Sequence, residues 1–132
     1  MATVQVRYIV NDIKASVDFY TQHLGFKLDM PPNPTFAMLS RGDLRLVLSA
    51  PNPARGGAQP MPDGTKQEPG GWNRFTLEVG NLETTVEALR SAGVPFRNKL
   101  VTGIGVKQIL VEDPSGNVIE LVEPTMDVAR LK

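Results

Sequence analysis

Apolar side chains recur along this chain with two periods, and the two come in the same order twice. From Val4 to Val10 the alternation is strict: Val4, Val6, Tyr8 and Val10 fall on one side, Gln5, Arg7 and Ile9 on the other. Period two marks a strand with two unlike faces. Directly after it the period lengthens. Ile13, Val17 and Tyr20 are spaced i, i+4, i+7, a single apolar stripe on a helix. The succession returns between Gly71 and Gly93. There Phe75, Leu77 and Val79 alternate with Arg74, Thr76 and Glu78, and Leu82, Val86 and Leu89 then form the stripe. Leu82 lies 69 residues after Ile13, and the same shift relates Val86 to Val17, Leu89 to Tyr20 and Val79 to Val10. It also relates Asn81 to Asp12, both residue types that satisfy free N–H groups at a helix start. Gly25 and Gly93 stand where a left-handed residue ends each helix. A repeat of this kind predicts two modules of one architecture.

The other elements follow from local signals. Phe26 to Met30 predicts a second strand, and Pro31-Pro32-Asn33-Pro34 a connection that cannot join a ladder. Thr35–Ser40 and Leu44–Ala50 predict two more strands across the turn Arg41-Gly42-Asp43, so module one, residues 1–50, reads βαβββ. Residues 51–71 are dense in Gly and Pro and nearly free of large apolar side chains. They predict a linker between the modules, with a lid over a site as the other reading. Trp72, at the far end, would anchor the stretch. Module two, residues 72–125, predicts a strand over Asn73–Val79 and a helix over Leu82–Ala92. A short strand starts at Val94-Pro95-Phe96, and Gly103-Ile104-Gly105 is a flexible connection. Strands over Val106–Glu112 and Val118–Val122 flank an Asp113-Pro114-Ser115-Gly116-Asn117 turn. Residues 126–132 form a tail. The expected class is α+β, in one domain of 132 residues.

Composition narrows the partners. Fourteen basic and fourteen acidic side chains leave a net charge of zero, which argues against nucleic acid or an anionic membrane surface. With no cysteine, disulfides and thiolate chemistry are excluded. No signal peptide and no apolar run of about 20 residues is visible, so a cytoplasmic protein is expected. No phosphate-binding glycine motif is present, since the Gly70-Gly71 pair precedes a strand rather than a helix. The single histidine, His23, falls at the end of the first helix, where an imidazole meets exposed carbonyls. That is a surface capping role rather than ligation or catalysis.

Two βαβββ units joined to the stretches FYTQHLGF (residues 19–26) and DPSGNVIEL (residues 113–121) resemble the vicinal oxygen chelate superfamily. This is the group of glyoxalases, bleomycin-resistance proteins and ring-cleaving dioxygenases. The resemblance covers nearly the whole chain. It implies two modules forming a U-shaped mixed sheet around a cavity, completed in a homodimer, and a small-molecule partner.

In metal-using members a His commonly begins the first strand of each module, seven residues before the Asp or Asn that starts the helix. A Glu on the last strand supplies another ligand. Those positions are Gln5, Arg74 and Glu120 here, and the first-module counterpart of Glu120 falls among the Leu, Arg and Val of Leu44–Leu48. Arg has no lone pair to donate, and a divalent ion needs about three or four donors. No cofactor is therefore expected, with a divalent metal on Glu120, Gln5 and water as the alternative. Arg74 can instead pair with Glu120, or present its planar fork to an oxygen of an organic ligand. Gln5, Arg7, Thr76 and Gln108 are further candidate ligand contacts. Ile9, Leu46 and Leu48 are candidate walls, and Trp72, Met38 and Phe36 are further ones. Each residue of this kind is more often plain core than a ligand wall.

Three functions compete. The first is metal-independent binding or sequestration of a hydrophobic organic molecule with a polar handle. The second is a glyoxalase-like lyase or isomerase, or a dioxygenase-type enzyme. In it Glu120 is base or metal ligand and Arg74 stabilises an enolate-like intermediate. The third is an interaction module with a collapsed cavity.

Overall fold

Strand–helix pairs, each completed by three further strands, build the protein, analysed as a computed structural model that describes residues 4–125. The first half contains β1 (Val4–Ile9), α1 (Ile13–His23), β2 (Lys27–Leu28), β3 (Phe36–Arg41) and β4 (Leu44–Ser49). The second contains β5 (Phe75–Glu78), α2 (Leu82–Ser91), β6 (Val101–Gly103), β7 (Val106–Glu112) and β8 (Val118–Pro124). Each half makes one four-stranded mixed sheet, ordered β1-β4-β3-β2 and β5-β8-β7-β6. The first strand of each runs parallel to the last, and the other pairings are antiparallel. This is the α+β, twice-βαβββ architecture that the sequence predicts.

The repeat holds at the level of single hydrogen bonds. The Asp12 carboxylate accepts from Ala15 N at 3.0 Å, and the Asn81 amide oxygen accepts from Thr84 N at 2.9 Å. One residue on, the Ser16 and Thr85 hydroxyls donate to the carbonyls of Asp12 and Asn81 at 2.7 and 2.8 Å. All of these pairs keep the 69-residue shift. It drops by one only where the helices end: Phe26 N reaches back to Tyr20 O, and Val94 N to Leu89 O. Gly25 and Gly93, at φ +70° and +79°, make those reversals, a conformation L side chains resist.

The helices cover one side of each sheet. In the first half Tyr8, Leu46, Leu48, Ala37 and Leu39 meet Ile13, Val17 and Tyr20, and all are at most 9% exposed. In the second, Leu77, Ile119, Leu121, Ile109 and Val111 are buried on the helix side, as are Leu82, Val86 and Leu89 of α2. Burying each Val, Leu or Ile side chain among them contributes about 1.5–3 kcal/mol. The opposite, helix-free face of each sheet carries the polar positions.

By its contacts the chain divides into two units. One holds the residues up to Gly71 together with Pro114–Asn117, and the other holds Trp72–Asp113 together with the chain from Val118. In the first unit Asn117 is 3% exposed. Its Nδ2 donates to Ile9 O and its Oδ1 accepts from Gly70 N, both at 2.8 Å. Residues 51–71 form no helix or strand, yet they are held locally. Asn52 N bonds Ala58 O, Met61 N bonds Thr65 O, and the Gln67 amide donates to Gln59 O. Ala58 is buried.

Two strand expectations change. The second strand shrinks to Lys27–Leu28, and β6 starts at Val101 rather than Val94. Near Phe96 the chain does pair with β7, through Arg97 N to Leu110 O and Glu112 N to Pro95 O. Then the Asn98 side chain takes Leu110 N at 2.9 Å. That intrusion removes the donor the next ladder step needs, and pairing resumes only at Val101. The tail at 126–132 lies outside the described residues.

Candidate functional site

Strand phase decides which residues share a face. In the second unit, β5 and β7 flank β8, and the register places Thr76 beside Glu120 and Glu120 beside Leu110. The next same-face row is Glu78, Val122 and Gln108, and on the other side lies Val118 with Glu112. All these are on the helix-free face, because Leu77, Leu121 and Ile109 occupy the helix side. Arg74 precedes β5 in phase with Thr76.

Arg74 and Glu120 meet on that face. Nε and Nη2 of Arg74 lie 2.9 and 2.8 Å from one and the same oxygen, Glu120 Oε1. Nη1 donates to the Trp72 carbonyl at 3.2 Å. The side chains are 34% and 16% exposed, so the pair is half-buried. Both contacts converge on Oε1, which leaves Oε2 uncommitted to the pair.

A second pair adjoins the first. Arg97 Nε is 2.7 Å from Glu112 Oε2, and the Arg97 guanidinium lies 4.5 Å from the centroid of the Trp72 ring, within cation–π range. Trp72 itself is 66% exposed. Arg97, Glu112 and Leu110 were not among the sequence-selected residues. The alternation Gln108, Leu110, Glu112 against Ile109 and Val111 carried the signal for two of them. Arg97 sits outside any strand and had none.

In the first unit, Gln5, Arg7 and Ile9 share the helix-free face with Arg45, Val47 and Ser49 of β4 and with Phe36, Met38 and Ser40 of β3. Gln5 and Arg7 are exposed. Arg45 Nε lies 3.4 Å from Asp29 Oδ2 but makes no hydrogen bond among the described residues, and Asp29 Oδ2 accepts from the Ser40 hydroxyl at 2.6 Å. The buried Ser49 hydroxyl has no hydrogen-bond partner among them either.

Leu46 and Leu48 are corrected as wall residues. They pair with Val6 and Tyr8 and are fully buried on the helix side, and Val47 holds the opposite face. The run Leu44–Ser49 alternates, Leu44, Leu46 and Leu48 against Arg45, Val47 and Ser49, and pairing to β1 sets the three leucines beside Val4, Val6 and Tyr8. His23 ends α1 with its ring against Phe19, centroids 5.7 Å apart.

The donor set does not suit a divalent ion. Among the described residues no three His, Cys, Asp or Glu side chains gather closely enough to hold one, and the Glu120 carboxylate already faces a permanent cation. A groove of ≈ 620 Å³ opens elsewhere, by the N-terminus of α1, lined by Ile13, Val17, Pro32 and Pro34 with Asp12, Lys14 and Asp18. Its charged groups are already engaged: Asp12 caps the helix, and Lys14 pairs with Asp18 at 3.0 Å. The helix-free faces, where Arg74, Thr76 and Gln108 share one side of a sheet and Gln5 and Arg7 one side of the other, carry the chemistry better. No helix among the described residues is long and apolar enough to cross a membrane.

Comparisons agree with this architecture. A lactoylglutathione lyase from Pseudomonas putida is 29% identical over 140 aligned positions, covering 88% of this chain and 81% of that protein. Two solved structures superpose over most of their length. One is a glyoxalase/bleomycin resistance protein/dioxygenase superfamily member from Sphaerobacter thermophilus DSM 20745. It has a TM-score of 0.70 and 25% identity, covering 93% of this chain and 98% of that one. The other is an antibiotic binding protein from Streptomyces sp. CB03234, with a TM-score of 0.68 and 23% identity, covering 94% and 97%. A family profile matches residues 3–121, and by that match the chain belongs to the Glyoxalase/Bleomycin resistance protein/Dioxygenase superfamily.

Proposed function

We propose that this protein binds a small, largely apolar organic molecule directly, without a metal ion, and holds it stoichiometrically rather than converting it. The observation that carries the reading is the Arg74–Glu120 contact at 2.8 Å. Where the family resemblance reserves a place for an electron-pair donor, this chain has a guanidinium, and its carboxylate neighbour is occupied by that cation. Arg74, Thr76, Gln108 and the exposed Trp72 then offer hydrogen-bond donors and an aromatic face to a ligand, and Gln5 and Arg7 add donors in the first unit. The antibiotic-binding neighbour from Streptomyces lends the reading a precedent in fold.

The test combines metal analysis with binding. Protein purified in the presence of zinc and nickel should carry far less than one equivalent of either. In a thermal-shift screen of aromatic organic compounds, a hit should saturate at one equivalent per chain with no product formed. A stoichiometric transition metal, or product accumulating beyond one equivalent, overturns the reading.

A second reading is favoured by the lactoylglutathione lyase from Pseudomonas putida and by the uncommitted Oε2 of Glu120. In it Glu120 takes a proton and Arg74 stabilises the developing oxyanion. It requires lactoylglutathione lyase turnover by the wild type that Glu120→Gln abolishes while ligand binding survives. We further propose a homodimer as the working unit. β1 and β5 each stand at the edge of their sheet, and an unpaired edge offers a ladder to a partner. Light scattering on the purified protein tests it.

A further inference from the structure

The four arginines in or beside the strands of the two helix-free faces are not equivalent. Arg74 and Arg97 each hold a carboxylate at 2.9 Å or closer, and Arg45 lies beside Asp29. Arg7 has neither an ion pair nor a hydrogen bond among the described residues. What it has is Gly57. A Cβ built on Gly57 would lie 2.8 Å from Arg7 Cζ, 3.0 Å from Nη2 and 3.1 Å from Nη1. Nearly equal distances to both nitrogens, with the carbon nearest, describe a point above the centre of a flat group. An approach along the guanidinium plane would meet a nitrogen first. Gly57 therefore lies over one flat side of the guanidinium, and among the described residues no acceptor is bonded to the N–H edge, where all five donors point.

Two features hold that arrangement. Gly57 has φ +88° and no Cβ, so the chain comes closer to the guanidinium than any other residue allows. The next residue, Ala58, is 1% exposed and accepts from Asn52 N through its carbonyl, which fixes the segment. Beside Arg7, on the same face, lie the partly exposed Ile9, Met38 and Phe36, with Val47 buried among them. An exposed cation with one flat face covered, its donors unbonded among the described residues and apolar side chains next to it is suited to an amphiphilic anion. Ordering the guanidinium in advance lowers the entropy lost on binding.

The geometry points to Arg7 as the residue that receives the polar handle, and to an organic oxyanion (carboxylate, sulfonate or phosphate on an apolar body) as the ligand class, with Gly57 as the positioning residue. This rests on the small-molecule-binding reading above and names the charge of its ligand.

Two dyes that share an aromatic frame test it: anilinonaphthalene sulfonate and phenylnaphthylamine, which lacks the sulfonate. Dissociation constants are measured for the wild type, Arg7→Gln and Gly57→Ala, with thermal melting as the check on folding. The wild type should favour the sulfonate dye by about tenfold or more, as a charge-assisted hydrogen-bond pair allows. Arg7→Gln should erase that preference and leave the neutral dye unchanged. Gly57→Ala, which pushes the guanidinium out of place, should reduce it. A preference unaltered in Arg7→Gln, or equal weakening of both dyes, overturns the assignment of Arg7 and leaves the parent reading standing. Failure of both dyes to bind the wild type overturns the parent reading, and the inference with it.

Discussion

Arg74 directs two of its nitrogens at a single oxygen of Glu120, a side-on contact rather than the two-by-two fork. Its value lies less in attraction than in what would follow from losing one partner. Arg74→Leu leaves a carboxylate that is 16% exposed without its counter-charge, and urea denaturation should register a loss of about 1–3 kcal/mol. Adding Glu120→Leu should return part of that loss, because the stranded charge is then gone too. The acid limb of stability has a separate contributor. The Lys107 ammonium, 2.8 Å from Glu83, hydrogen-bonds its carboxyl and holds it below the ordinary value of 4.5. A depressed carboxyl stabilises the fold above its unfolded value and ceases to do so as the pH falls through its folded value. Urea midpoints measured downward from pH 4.5 should therefore fall less steeply in Lys107→Met than in the wild type. Arg74 and Glu120 could be singled out in the sequence because a repeat and a resemblance marked their positions. The Gly57–Arg7 contact could not: it joins residues fifty positions apart, one of them in a stretch with no periodicity.

At the scale of elements, the helices were the most legible part of the chain. A stripe at i, i+4, i+7 and a capping side chain are both local, and both occur twice. Asp12→Ala and Asn81→Ala should each cost about 1 kcal/mol, measurable by chemical denaturation, since each removes the acceptor for one N–H of the first turn. The strands were legible where polar and apolar residues alternate, as in β1 and β7. β4 alternates too, Leu44, Leu46 and Leu48 against Arg45, Val47 and Ser49. Yet every residue from Leu46 to Ser49 is buried, so apolar character there does not separate a wall residue from a core residue, and Leu46 belongs to the helix side. The sixth strand failed for a different reason. Val94-Pro95-Phe96 has the composition of a strand start, but the Asn98 amide captures a ladder donor, and no propensity argument anticipates a side chain from outside the strand.

Over the molecule as a whole, residues 51–71 read as a linker in sequence and are a locally bonded loop in the structure, with its end fastened by Asn117. That amide joins the end of β1, the end of the loop and the turn after β7. Asn117→Ala strips a carbonyl and an N–H of their partners at once, and a loss of about 2–3 kcal/mol is expected, two hydrogen bonds at about 1 kcal/mol each plus desolvation. Differential scanning calorimetry checks it. The chain also has one tryptophan, mostly exposed and lying under a guanidinium. Its emission is therefore already that of an indole in water when the protein is folded, and unfolding should shift its maximum little. As a gauge of denaturation the indole is poor. As a gauge of what touches this side of the sheet it is sensitive: iodide, drawn by Arg97, should quench it more strongly than caesium does, and Arg97→Gln should narrow that difference.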